Sequence, residues 1–279
     1  MKIQNILPIA CVVFFACNSK PSSPPSEPAA PDSPAYNCEV TKAQFLQLDS
    51  LVATMQDIDA WGDDAALDSI AELNDAIAAR LQKLLACAAV ETLDLSGDAF
   101  ERLYYAQTED GRIRNFNWYA NNGGTWQEMR RIYQYYPRPK VAKATETDYY
   151  AGATRFFTLK SDQPMYLGLG ADKVCSTCMV EYATLFSFEA DTLRRDEVVT
   201  LESRMGNLVK FEFDPATQTL KYIMVVDDLN EGWTQDMPKQ KWSDLNLDLG
   251  NEYEGYEPEA DAEVVMGSFV FDGKGFVDQ

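Results

Sequence analysis

The stretch Gly111–Tyr136, GRIRNFNWYANNGGTWQEMRRIYQYY, constrains the fold more than any other part of this chain. Two runs rich in aromatic and β-branched residues flank Asn121-Asn122-Gly123-Gly124, whose residues tolerate positive φ. The segment therefore reads as two strands joined by a turn. Its aromatics do not alternate: Phe116 and Trp118 share one strand face, while Tyr119 takes the other. That pattern predicts burial on both sides, or a bulge.

From Phe100 onward the hydrophobic period stays short. Strands are predicted over Glu101–Gln107, Arg112–Tyr119, Glu128–Tyr136, Thr154–Leu159, Met165–Leu169 and Ala183–Glu189. Four more follow at Val198–Leu201, Leu208–Phe213, Lys221–Val226 and Val264–Phe271. Turn residues separate most of them, as in Glu109-Asp110-Gly111 and Asp272-Gly273-Lys274. No substantial helix interrupts, so the connections should be antiparallel. The predicted class is α+β, mainly β: an N-terminal antiparallel helical hairpin, then an antiparallel β-meander forming a barrel, a sandwich or propeller-like blades. The chain divides accordingly into a signal peptide at 1–16, a lipidated Cys and Pro-rich tether at 17–37, the hairpin at 38–92 and the β domain at 93–279.

The hairpin is read from two amphipathic stretches. Val40–Gln56 carries Val40, Phe45, Leu48, Leu51, Val52 and Met55, with Thr41 placed to cap it; Ala65–Ala89 carries Leu67, Ile70, Leu73, Ile77, Leu81, Leu84 and Leu85. A short connection makes them antiparallel, which brings Cys38 and Cys87 to the same end. A Cys38–Cys87 disulfide is the natural inference, closing a loop of about 50 residues worth on the order of 3–4 kcal/mol. The connecting loop is acidic. Asp57, Asp59, Asp63 and Asp68 suggest a weak calcium site of EF-hand type, but Trp61 stands where an oxygen ligand belongs and Asp68 replaces the bidentate Glu. The competing reading is an acidic helix N-terminus capped by Asp63 or Asp64.

At the N-terminus, Met1–Asn5 carries one Lys, and the apolar run Ile6–Ala16 is too short for a membrane span but suits a signal-peptide core. Ala16-Cys17 resembles a bacterial lipobox, with Phe14 in place of the usual Leu or Val; cleavage before Cys17 and acylation of its sulfur would anchor the chain in the bacterial envelope, at the periplasmic face or the cell surface. Ordinary signal cleavage without a lipid is the alternative, and either way the chain is exported. Asn18–Tyr36 is Pro-rich and favours extended polyproline II, a tether of roughly 50–60 Å.

The 279 residues carry a formal net charge of −20 and no histidine. The charge argues against nucleic acid and against direct electrostatic binding to anionic lipid, so the membrane is a partner only through the anchor. Without histidine, Ser-His-Asp and Cys-His nucleophile systems and His-ligated zinc or haem are excluded. Carboxylates, Lys, Tyr or a bound cation remain for catalysis.

Cys175-Ser176-Thr177-Cys178 lies between two predicted strands and admits three readings: a local structural disulfide, a redox pair or half a metal site. The first is preferred, because a thioredoxin-type pair sits at a strand-to-helix turn and no further metal ligands are at hand. Trp242–Met266 is dense in Asp and Glu, with Tyr253, Tyr256, Trp233 and Trp242 nearby. An exposed loop is the plain reading and a cation site or sugar-binding edge the sharper one.

Gly111–Arg114, Asn117-Trp118, Gly123-Gly124-Thr125 and Ile132-Tyr133-Gln134-Tyr135 together resemble exported lipoproteins of Bacteroidota, in which a Trp-containing strand leads through a Gly-Gly-Thr turn to a Tyr-Gln-Tyr-like strand. The resemblance covers about residues 100–279. Tyr119 follows Trp118 where that family often has an acid, so no cation role carries over. What the resemblance implies is a location and a β-rich fold. The expected function is a cell-envelope lipoprotein acting as a binding or structural module, without a cofactor unless calcium binds, and with an envelope protein or glycan as its partner. The alternative is a carboxylate-based or calcium-dependent hydrolase of glycans. No catalytic residue is singled out.

Overall fold

The computed structural model describes residues 39–59, 63–95, 100–122, 128–138, 141–147, 152–204, 207, 209–245 and 258–279. Two helices come first, α1 (Lys42–Gln56) and α2 (Asp64–Leu85), followed by a 3-10 turn at Ala88–Thr92. Thr41 starts α1: its N–H donates to Gln44 Oε1 at 2.7 Å, while the Gln44 N–H donates to Thr41 O at 3.1 Å. Asp63 starts α2, accepting from the N–H groups of Ala65 and Ala66 at 3.0 and 3.2 Å.

The rest of the described residues are mainly β, in three separate antiparallel sheets. The first joins β1 (Tyr104–Gln107), β2 (Ile113–Tyr119), β3 (Met129–Arg138) and β4 (Val141–Thr147) in that order. The second joins β5 (Arg155–Thr158), β6 (Tyr166–Lys173), β7 (Cys178–Glu189) and β8 (Thr192–Arg204), again in chain order. The third runs β11 (Lys239–Lys241), β12 (Glu263–Phe271), β10 (Thr219–Val225), β9 (Val209–Asp214), with β13 (Phe276–Asp278) also on β12. A one-turn helix, α3 (Glu231–Thr234), follows β10.

Several expected bounds need correction. β8 runs from residue 192 to 204, well beyond the Val198–Leu201 core. Arg194, Arg195, Asp196 and Glu197 hid it, because four consecutive charged residues interrupt the apolar alternation on both faces. β7 begins at Cys178, five residues before the predicted Ala183, and β6 ends at Lys173. β4, β11 and β13 were not expected. β4 (VAKATET) and β11 (KQK) carry little apolar signal and are recruited by pairing with β3 and β12.

Side chains from successive layers form successive cores. Helical Phe45, Leu48, Val52, Ile77 and Leu81 pack with Phe116, Trp118 and Ile132 from one face of the first sheet. This core runs across the expected boundary at residue 93. Ile113, Tyr133 and Tyr135, on the opposite face, pack with Tyr166, Phe186 and Leu193 of the second sheet. The second sheet's other face brings Leu167, Leu169, Leu185 and Leu201 against Phe211, Leu220, Met224 and Val265 of the third. Ile223, Val225 and Val264, on the far side of the third sheet, are covered by Trp242. The first sheet is thus buried on both faces, and this is why the aromatics of β2 do not alternate.

Candidate functional site

Polar side chains of the first sheet do two structural jobs. Towards the helices they supply donors to carbonyls at and just beyond helix ends. Asn121 Nδ2 lies within 3.3 Å of the carbonyl oxygens of Met55, Gln56 and Ile58, at the end of α1. Gln134 Nε2 donates to Leu85 O at 2.6 Å, and Arg114 donates to Val90 O and Glu91 O at 2.5 and 3.0 Å. Asn121 holds φ +52°, a left-handed conformation that Asn accepts more readily than most residues. The turn residue expected from sequence is therefore also a tertiary helix cap. Gly123, Gly124 and Thr125 lie outside the described residues.

Towards the second sheet the same strands form a polar seam. Asn115 Nδ2 donates to Ala153 O at 2.7 Å, the Ala153 N–H donates to the Tyr133 hydroxyl at 3.2 Å, and the Tyr182 hydroxyl donates to Gly152 O at 2.9 Å. At its centre Arg131 pairs with Asp172. Burial raises Asp172 above the usual carboxylate range, and the Arg131 charge pulls it back only in part. Burial also pushes the Tyr133 phenol up to about 12. Asn117 Oδ1, Arg131 Nε and Asp172 Oδ1 are buried without a hydrogen-bond partner among the described residues. Gly152 lies against this group: a Cβ there would stand 2.2 Å from Arg131 Nε and 3.1 Å from Asn117 Oδ1. With side chains only 2% and 5% exposed, Arg131 and Asp172 are closed to any polymeric substrate.

The residues singled out from sequence scatter. Cys17 and Cys38 lie outside the described residues; Cys87 is disulfide-bonded. Cys175 and Cys178 form a disulfide at the tip of the β6–β7 hairpin. Asp57 follows the last residue of α1, Asp63 caps α2, and Asp68 lies exposed within α2. The Asp63 carboxylate is thus engaged by backbone N–H groups, as the helix N-terminus reading expects. Asp59 belongs to the same connection, whose residues 60–62 lie outside those described. Among the described residues no group of three or more His, Cys, Asp or Glu side chains is placed to hold a metal ion.

In the acidic segment, Asp248, Glu252, Tyr253, Glu254, Tyr256 and Glu257 lie outside the described residues. Asp244, Glu259 and Asp261 are exposed, and Glu263 pairs with Lys239 at 3.4 Å. Trp242 is core, 7% exposed, and presents no ring to a ligand. Trp233 is different: at 50% it is the most exposed large apolar side chain among the described residues.

Trp233 stands on a held turn. Asp227 Oδ1 accepts from the N–H groups of Leu229 and Asn230 at 2.9 and 3.3 Å. Buried Asn230 donates through Nδ2 to Val225 O on β10 at 3.1 Å and to Glu202 O on β8 at 3.3 Å. The Trp233 ring lies 6.2 Å from that of Tyr222, which stacks on Phe269 at 5.9 Å. Tyr222 in turn covers Gly267, where a Cβ would come within 2.3 Å of its hydroxyl. The sequence marked Trp233 as an aromatic beside acids. Tyr222 and Phe269 carried no such mark, because strand pairing brings them together, and Asn230 carried none because its carbonyl partners lie on β8 and β10.

A groove of about 870 Å³ lies beside α2, lined by Glu39, Gln44, Arg80, Lys83, Leu84 and Cys87 among others. No helix among the described residues is long and apolar enough to cross a membrane. Comparison with family models, with curated proteins and with solved structures yields no match.

Proposed function

We propose that this chain is a cell-envelope lipoprotein, anchored through Cys17 and its Pro-rich tether, that acts by non-covalent binding. The helices would form an antiparallel hairpin at one end of a propeller-like stack of sheets. The likeness of Gly111–Tyr135 to exported lipoproteins of Bacteroidota supports the location.

The observation that carries the binding reading is Trp233. An indole half in water contributes little to the core, yet its turn is fixed to two sheets through Asn230 and backed by the Tyr222–Phe269 stack. A rigid, partly exposed aromatic ring is an economical contact, since few rotamers are lost on binding. Its electron-rich face suits the C–H face of a sugar ring, so an envelope glycan is the ligand class proposed.

The test pairs the intact chain with Trp233→Ala in co-sedimentation with purified peptidoglycan. Wild type should sediment and the variant should lose about tenfold in affinity, the equivalent of roughly 1.4 kcal/mol, with its circular dichroism unchanged. Equal binding by both, or none by wild type, defeats the glycan reading. The anchor is tested separately with an alkyne-bearing fatty acid. Label should enter wild type and not Cys17→Ser.

A further inference from the structure

The Cys175–Cys178 disulfide joins residues three apart at the tip of a hairpin that is secured without it. β6 and β7 pair in unbroken register from Tyr166–Phe186 to Lys173–Met179, and β7 also pairs with β8 along its whole length. The Val174 N–H closes the tip by donating to Cys178 O at 3.1 Å. A cross-link over so short a loop restricts the unfolded chain little. The bond therefore has a weak claim as a staple, and opening it would leave both sulfurs side by side.

The two sulfurs are not equivalent. Cys175 Sγ accepts the Thr177 N–H at 3.3 Å and has the Thr177 hydroxyl at 3.7 Å. No such contact is made to Cys178 Sγ by the described residues. Hydrogen-bond donors stabilise a thiolate and make its sulfur the better leaving group. Ser176 and Thr177 are exposed and both cysteines are partly so, so an incoming thiol can reach the bond.

We propose that this pair is a thiol–disulfide exchange centre whose substrate is a dithiol, such as the Cys-x-x-Cys of a thioredoxin-like reductant. A substrate thiolate attacks Cys178 Sγ and forms a mixed disulfide. The Cys175–Cys178 bond breaks, and its electron pair leaves on Cys175 Sγ as a thiolate held by Thr177. The second substrate thiol, losing its proton to solvent, then attacks its partner sulfur in the mixed disulfide and releases Cys178 as a thiolate that takes up a proton. The substrate leaves as a disulfide, oxidised by two electrons, and the chain retains the dithiol. This step is independent of the Trp233 surface.

The test uses the oxidised full-length chain. A brief pulse of reduced glutathione is quenched with iodoacetamide and the cysteines are mapped by mass spectrometry; glutathione should sit on Cys178 and the alkyl group on Cys175. Thr177→Ala, which removes the hydroxyl, should slow the opening several-fold and weaken the preference for Cys178. Excess dithiothreitol should reduce the pair, and the Cys175→Ser/Cys178→Ser double variant, which leaves the Cys87 disulfide intact, should keep the native near-ultraviolet circular dichroism. Glutathione found chiefly on Cys175, a bond that resists excess dithiothreitol, or loss of the native spectrum in the double variant would each overturn the proposal, the last by making the bond a structural staple.

Discussion

Trp118 and Asn74 meet across the boundary between the helices and the first sheet: Trp118 Nε1–H donates to Asn74 Oδ1 at 2.8 Å, with both residues buried. Asn74 Nδ2 also donates to Ile70 O within its own helix and to Ala120 O beyond the end of β2. One amide thus satisfies an indole, a helical carbonyl and the backbone leaving a strand. Asn74→Ala strands the Trp118 donor in an apolar core and is expected to cost about 2–4 kcal/mol in urea denaturation. Trp118→Phe in the same background should recover part of that loss, because it removes the orphaned donor.

Asp49 is the counterpart on α1. Its carboxylate accepts the N–H groups of Glu101, Arg102 and Leu103 at 3.1, 2.8 and 2.6 Å, fixing the chain as it enters β1. Asp49→Ala should cost on the order of 3 kcal/mol, and Asp49→Asn less, since one carbonyl acceptor remains. Amide hydrogen exchange should speed up first at these three residues.

The Arg131–Asp172 pair should show strong coupling. Breaking it from one side, as in Asp172→Leu or Arg131→Met, leaves an uncompensated buried charge or a shift to the neutral acid, and should cost about 3–5 kcal/mol. The double variant should be clearly milder than the sum of the two. Additive losses would show that the pair does not act as a unit. Gly152→Ala tests the same seam by crowding, with an expected cost of about 1–3 kcal/mol.

Glu181 supplies a pH dependence. Partly buried on the second sheet, it is raised by burial from 4.5 to about 7, with Arg155 acting in the opposite direction. The folded state therefore binds this proton more tightly than the unfolded chain. Below about pH 4.5 both states hold the proton and no penalty arises; as pH rises towards 7 the unfolded chain ionises first and stability falls. Melting temperature should decline across that window, and Glu181→Gln should flatten the decline. An unchanged slope in the variant would place the pH dependence elsewhere.

Much of the framework was legible because it depends on local period and turn chemistry. The stripe from Ile70 to Leu85 and the cap at Asp63 mark α2, and alternating runs such as Lys210–Phe213 mark strands. β4 and β11 were not legible, because a strand whose partner is already formed needs little apolar signal of its own, and β13, at 3 residues, is too short to show a period. Asn74 was hidden for a related reason. A polar residue on an apolar helix stripe looks like a defect until the indole and carbonyl that complete it are in place.

By itself the sequence determined the mainly β class, the helix positions, the exclusion of histidine chemistry and the expectation of an exported, acylated N-terminus. Each follows from composition, or from residues within a few positions of one another. Tertiary structure alone decided which layers cover the two faces of β2 and β3, that Asn121, Gln134 and Arg114 cap helical segments far away in the chain, and that Trp233 stands exposed while Trp242 is core. Those outcomes depend on which polar atoms are brought within about 3 Å of one another and which faces lose water, and both are set only when the layers pack.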